Sequence, residues 1–196
     1  GPKEESVGHE GRYGIERAYN EILSRGEEVT LTIDRNVQAQ SESILESLVT
    51  RFSATGGSVI VIDPNDGRIF AMANYPSFDP NRYSEFEFNR FLNPTVQSIY
   101  EPGSVMKVIT MAAGIDAGAF SSSTTIRDTG SLTFNNKTFK NWEEKTYGTI
   151  TITEVIERSI NVGAAQAERL IGHDTFLSYL TRFGIEEKTG VELPGE

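Results

Sequence analysis

Ser104 and Lys107 stand three residues apart in the run Glu101-Pro102-Gly103-Ser104-Val105-Met106-Lys107. On a helix that spacing puts a hydroxyl and an amine on one face, close enough for the amine to take the hydroxyl proton. Such a pair is an activated nucleophile that needs no histidine. A second hydroxyl and a carboxamide follow 55 residues after Ser104, in Ser159-Ile160-Asn161. Hydroxyl, amine, second hydroxyl and amide form a donor and acceptor chain suited to acyl transfer in both directions. Each spacing alone is weak, since Ser-x-x-Lys arises by chance about half a time in a chain of this make-up and Ser-x-Asn about once. A serine or asparagine at a helix start is more often a cap, and a lone lysine more often a solvated surface group. Weight comes only from their joint placement.

The elements that must position these residues are readable from the pattern. Pro102-Gly103 breaks the preceding chain, and Val105, Val108, Ile109, Ala112 and Ile115 recur at helical spacing until Gly118. Ser104 is therefore expected on the first turn, where unpaired amides favour negative charge at its oxygen, and Lys107 one turn later. Thr151 and Glu154 match a capping box for a helix to about Arg158, which delivers Ser159-Ile160-Asn161 to a helix junction. Helices from Val162 to Leu170 and from Asp174 to Phe183 follow, stopped by Gly172 and Gly184. Leu132–Phe134 and Lys137–Phe139 read as a small surface hairpin.

Upstream, Ile15–Leu23 is a short helical candidate and Leu31–Ile33 a strand. Asp34 caps a helix whose predicted inner face is Val37, Ile44, Leu45, Leu48 and Phe52, ending before Gly56. Ser58–Ile62 and Arg68–Ala73 form a β-hairpin around Asp63-Pro64-Asn65-Asp66-Gly67. Residues 74–103, rich in Asn, Pro, Tyr and Phe, are expected as irregular structure with short turns.

Composition excludes several other functions. The 196 residues suit one ordinary domain, and a formal charge of -10 disfavours nucleic acid or anionic membrane as a partner. Cysteine is absent, which removes disulfides, thiolate metal sites and cysteine nucleophiles. The two histidines, His9 and His173, are isolated, so neither a histidine triad nor a metal site is expected, and no cofactor. No apolar run approaches the roughly 20 residues that cross a bilayer, and none reads as a signal peptide. Gly1-Pro2 resembles a tag-removal scar. Residues 3–30 read as a leader or the remnant of an N-terminal non-catalytic domain, and 31–196 as the domain bearing the chemistry.

The stretch from Thr30 to Glu196 resembles the transpeptidase domain of class B, monofunctional penicillin-binding proteins. The carrying segments are LTIDRNVQ, the hairpin SVIVIDPNDGRIFAMANYPSFDPN, YEPGSVMK, ERSIN and the terminal FGIEEKTGVELPGE. The resemblance implies an α+β fold of the penicillin-binding, beta-lactamase-like kind, an antiparallel sheet flanked by helices. It implies Ser104 as acyl-forming nucleophile, Lys107 as general base, Ser159 as proton relay, and Asn161 as partner of the lysine and the substrate amide. The implied reaction opens the D-Ala-D-Ala bond of a peptidoglycan stem peptide and passes the acyl group to a neighbouring amine; beta-lactams acylate the same serine. The implied setting is the outer side of the bacterial cytoplasmic membrane, in a membrane-anchored parent working with division or elongation proteins, without membrane contact by this stretch.

Two departures qualify it. The family's third motif lies on a strand roughly a hundred residues after the second, whereas Lys188-Thr189-Gly190 comes 29 residues after Ser159 and precedes Val-Glu-Leu-Pro-Gly-Glu, which favours a loop. Lys188-Thr189-Gly190 is therefore read as a structural look-alike, with the true third motif and the last strands beyond Glu196, and the isolated stretch as inactive. The join of Ile22–Gly26 to Glu27–Val29 is also tight where the family carries a longer insertion. Two alternatives use the same residues differently. A beta-lactamase or beta-lactam sensor needs a group to activate water, and no carboxylate suits that role; a non-catalytic division scaffold would not keep Ser104, Lys107, Ser159 and Asn161 together.

Overall fold

The fold is that of a computed structural model, which describes residues 11–195. The readings placed on Gly1-Pro2, on residues 3–10, His9 included, and on Glu196 lie outside the described residues. The chain divides into two units, Gly1–Ile99 with Gly190–Glu196, and Tyr100–Thr189. Both mix helices with antiparallel strands, as expected of an α+β fold.

In the first unit the helical candidate near residue 15 is two short helices, α1 (Gly14–Ala18) and α2 (Asn20–Ser24), separated where Tyr19 leaves helical geometry. Helix α3 (Arg35–Arg51) begins as predicted, with Asp34 accepting from the amides of Asn36 and Val37. Its buried face differs from the predicted one. Ser41, Leu45 and Val49 point inward, while Ile44, Leu48 and Phe52 are exposed. The two stripes share Leu45, and packing against the hairpin turns Ser41 and Val49 inward in place of Ile44, Leu48 and Phe52. That hairpin pairs β1 (Gly57–Ile62) with β2 (Ile69–Tyr75), Val59 facing Ala73, with a bulge at Val61/Ile62. Leu45, Val49 and Ala73 form its core with Val59 and Tyr75 against them.

Leu31–Ile33 is not a strand. It makes too few main-chain bonds for a ladder, yet it does a strand's work of covering the outer edge of β2. Thr32 Oγ1 donates to the Ile69 carbonyl and the Asp34 amide to that of Phe70. The Gln38 carboxamide completes the cover, accepting from Met72 N at 2.8 Å and donating to Met72 O at 3.1 Å. Strand β2 takes in residues 74 and 75 of the stretch expected to be irregular; residues 76–99 carry only 3₁₀ turns at Pro80–Glu85 and Phe88–Phe91 and the single-turn α4 (Pro94–Gln97), in line with that expectation.

The second unit holds all four residues singled out for chemistry. A 3₁₀ turn, Gly103–Val105, leads into α5 (Met106–Asp116). Strand β3 (Thr125–Asp128) is followed by the hairpin β4 (Ser131–Phe134) and β5 (Lys137–Lys140), then by β6 (Gly148–Thr151), which pairs antiparallel with β3. Asn135 and Asn136 both take left-handed dihedrals, as a two-residue hairpin turn requires. Helices α6 (Ile152–Glu157), α7 (Asn161–Ile171) and α8 (His173–Arg182) complete the unit. The capping box at Thr151 and Glu154 is formed in both directions. The core gathers Met111, Phe120, Ile150, Ile152, Val155 and Ile160 among others.

The apolar residues that recur at helical spacing along α5 are mostly exposed. Lys107, Thr110, Met111, Ala113 and Gly114 are buried, whereas Val105, Val108 and Ile115 are exposed. The helix is apolar nearly all round, so spacing alone does not choose its inner side. Lys188–Gly190 follows α8 in irregular backbone, as the loop reading anticipated.

Candidate active site

Each of the four side chains sits where an element starts or stops. Ser104 lies on the 3₁₀ turn ahead of α5, one step earlier than expected, and Gly103 before it takes φ +64, a value that glycine reaches without strain. Lys107 is the second residue of α5 and is buried, 9% exposed. Ser159 follows the end of α6, and Asn161 is the first residue of α7.

The α6 terminus explains the placement of Ser159. Arg158 ends the helix, the Ser159 amide donates to the Ile156 carbonyl at 3.1 Å, and the Ile160 amide donates to that of Val155 at 2.9 Å. This crossed pair of bonds is the left-handed helix stop that glycine usually fills. Here serine fills it, at φ +52. The conformation turns both the hydroxyl and the carbonyl of Ser159 toward Lys107. Val155 and Ile160, the apolar pair that accompanies such a stop, are both buried in the core. Helix α7 can then start close by because residue 163 is glycine: a Cβ there would lie 2.7 Å from a methyl of Val155.

The four residues form one cluster. Lys107 Nζ donates to the Ser159 carbonyl at 2.6 Å, to Ser159 Oγ at 3.0 Å and to Asn161 Oδ1 at 2.7 Å. Ser159 Oγ donates in turn to Ser104 Oγ at 2.9 Å. The order along the hydrogen bonds is thus Lys107, Ser159, Ser104; the second hydroxyl stands between the amine and the first. None of the partners of Lys107 carries charge, and burial pushes its pKa below the ordinary lysine value. Two of those partners are carbonyl oxygens that can only accept, while Ser159 Oγ can do either. Three donated bonds occupy an ammonium. A neutral amine would keep its two hydrogens on the carbonyls and aim its lone pair at Ser159 Oγ, so that the hydroxyl chain reverses direction.

Spacing did not reveal the residues that hold Asn161. Its Nδ2 donates to the Lys140 carbonyl at 2.9 Å, which leaves Oδ1 toward Lys107. The cap position of α7 is Ile160, which has no capping side chain, and Asn141 Oδ1 takes the Val162 amide at 2.9 Å instead. Asn141 is itself held by Asp128, a carboxylate only 1% exposed. One signal of this was present in the sequence: a helix opening on Ser-Ile-Asn with isoleucine in the cap position needs an acceptor from elsewhere. Among the described residues no group of acidic or histidine side chains could hold a metal ion, and no helix is long and apolar enough to cross a membrane.

The chain was compared with known proteins. The family model of the penicillin binding protein transpeptidase domain matches residues 57–196. The chain is 32% identical over 172 residues to penicillin-binding protein PbpB of Mycobacterium tuberculosis, covering 87% of this chain and 25% of that protein. It is 28% identical over 194 residues to the peptidoglycan D,D-transpeptidase FtsI of Escherichia coli, covering 98% of this chain and 32% of that one. Among solved structures, penicillin-binding protein 3 of Mycobacterium tuberculosis in its apo form superposes with a TM-score of 0.78 at 31% identity, over 86% of this chain and 38% of that chain. The transpeptidase domain from Eggerthella lenta shares the fold with a TM-score of 0.80 at 24% identity, over 100% of this chain and 47% of that one. The chain spans between a quarter and a third of the length of these curated relatives.

Proposed function

The chain belongs to the penicillin-binding protein transpeptidase family, class B, and on that premise we infer that its full-length protein is a serine D,D-transpeptidase with Ser104 as nucleophile. The carrying observation is the unbroken line from Ser104 Oγ through Ser159 Oγ, 2.9 Å away, to Lys107 Nζ, 3.0 Å further on. With Lys107 neutral, Ser104 passes its proton to Ser159, which passes its own to the amine. Ser104 Oγ bonds to the carbonyl carbon of the penultimate D-Ala of a peptidoglycan stem peptide. The peptide C–N bond then breaks, and the departing D-Ala amine takes the proton back along the same line. In the second half an amine of a neighbouring strand attacks the ester, its proton travels inward, and the restored amide leaves Ser104 protonated again. Asn161 keeps one amide hydrogen for the substrate once the other is on Lys140 O.

Beta-lactams react with the same serine, their ring carbonyl taking the place of the peptide carbonyl. Among the described residues no carboxylate bonds into the cluster, so the added group that a beta-lactamase reading calls for is not found beside Ser104. The chain spans between a quarter and a third of the length of its curated relatives, so the activity proposed is that of the full-length protein. Its setting is the cell envelope, anchored at the outer side of the cytoplasmic membrane, beside division or elongation proteins.

The test is labelling of the full-length protein with a fluorescent penicillin, next to Ser104→Ala. Labelling is expected to vanish in the variant. Retained labelling sinks the assignment of Ser104.

A further inference from the structure

We propose that Asp128 and Asn141 are positioning residues for acyl transfer, a pair of side chains that sets the direction of the Asn161 carboxamide and through it the seat of Lys107. The proposal rests on the reading of Ser104 as the acylated residue. A carboxamide is nearly symmetric in shape but opposite in polarity at its two ends, so its direction must be imposed. For Asn141 it is imposed completely. Nδ2 faces both oxygens of Asp128, at 2.9 and 3.0 Å, and the Lys145 carbonyl at 3.0 Å. A flipped amide would put its oxygen against a carboxylate and its NH₂ against the amide of Val162. Oδ1 is therefore held on Val162 N, and with it the first turn of α7.

The second step follows from adjacency. Asn141 N is bonded to the Gly130 carbonyl at 3.2 Å, so residue 141 is fixed at main chain and side chain alike. The peptide carbonyl just before it, that of Lys140, is fixed with it and receives Asn161 Nδ2. Asn161 has then one direction too, its oxygen on Lys107 Nζ. Two oriented amides in series thus carry the polarity of a buried carboxylate to the amine of the relay.

Burial makes the choice of an acid at position 128 informative. Asp128 is only 1% exposed and its hydrogen-bond donors are Asn141 Nδ2 and Tyr147 N. A buried carboxylate without a cation is costly, and a shape-matched apolar pair would serve packing alone as well or better. What an apolar pair could not supply is direction. It would leave the start of α7 uncapped and Asn161 free to flip, which would present NH₂ to the ammonium of Lys107.

The test uses the full-length protein and the rate of acylation by a fluorescent penicillin, with thermal melting recorded alongside. Asn141→Asp places two carboxylates face to face and should slow acylation about 100-fold, the scale of a misplaced catalytic group. The exchange Asp128→Asn with Asn141→Asp restores a donor at 128 and an acceptor at 141, and should recover most of the rate. Wild-type acylation by Asn141→Asp would overturn the proposal, as would a folded exchange variant as slow as the single one. Unfolding of both would overturn it as well, by assigning the pair to the fold rather than the site. Labelling that survives Ser104→Ala would instead sink the functional reading beneath it.

Discussion

Ser159 offers Lys107 its main-chain carbonyl and its hydroxyl together, at 2.6 and 3.0 Å, and it does so from a left-handed backbone at φ +52. Helix stop and proton relay therefore make opposite demands on one residue: the first is best met by glycine, the second needs a hydroxyl.

Comparing Ser159→Gly with Ser159→Ala separates those demands. Both remove the hydroxyl, and both should lower penicillin acylation of the full-length protein by about 100-fold or more, the range of a lost proton-transfer group. They should differ in stability, Gly exceeding Ala by about 1 kcal/mol in urea unfolding, because only Ala carries the steric cost of left-handed dihedrals. Equal midpoints for the two variants would show that the backbone there is not strained.

Lys107 yields a prediction in pH. Burial holds its pKa below the ordinary lysine value, so the folded chain gives up this proton at a lower pH than the unfolded chain. Between the two values the unfolded state binds the extra proton, and the contribution of Lys107 to stability rises with pH; below both it is at its lowest. The stability advantage of Lys107→Met over wild type should then shrink as pH is raised toward the unfolded lysine value. A pH-independent difference would contradict this. For chemistry the sign is the same: acylation should climb with pH along a limb below the ordinary lysine range. Lys107→Arg, which has no neutral form, should lose about 10³-fold.

Helices α6 and α7 meet at Gly163, so the gap between Ser159 and Asn161 depends on a missing methyl group. An added Cβ would stand 2.7 and 3.2 Å from the two methyls of Val155, which is fully buried and has no room to yield. Gly163→Ala should cost about 1–2 kcal/mol, overpacking outweighing the helix propensity gained. Val155→Ala in that background should return part of the loss, giving a coupling in a double-mutant cycle that two independent sites would not show.

Much of this was legible in the sequence because it is local. The Asp34 cap, the hairpin turn at Asp63–Gly67, the Thr151/Glu154 box and the hairpin of Leu132–Phe134 with Lys137–Phe139 each lie within a few residues, and each formed as read. The meeting of Ser104, Lys107, Ser159 and Asn161 was legible from a resemblance rather than from spacing. What was not legible is non-local. The β3–β6 pair joins segments some twenty residues apart that look like ordinary polar chain, and Asn141 acts on a helix that begins twenty residues later. The tripeptide Leu31–Ile33 has strand composition, yet strand formation depends on a ladder that three residues beside β2 do not complete.

The exposure of Val108 on α5 turns that last point into a measurement. Val105, Val108, Ile109, Ala112 and Ile115 recur at helical spacing, but Val108 is 62% exposed and Met111 only 5%. Burial, not hydrophobicity, sets the cost of truncation, so the two positions should separate cleanly in this 196-residue chain. Met111→Ala should cost about 2–4 kcal/mol, and Val108→Ser no more than about 0.5 kcal/mol. Equal costs would mean that Val108 is as closely packed as Met111. The same pair measured in the full-length protein asks a different question, because an apolar stripe so exposed here gains nothing from remaining apolar unless something covers it. A cost for Val108→Ser that rises above about 1 kcal/mol there would place Val108 in a buried contact made by the added chain.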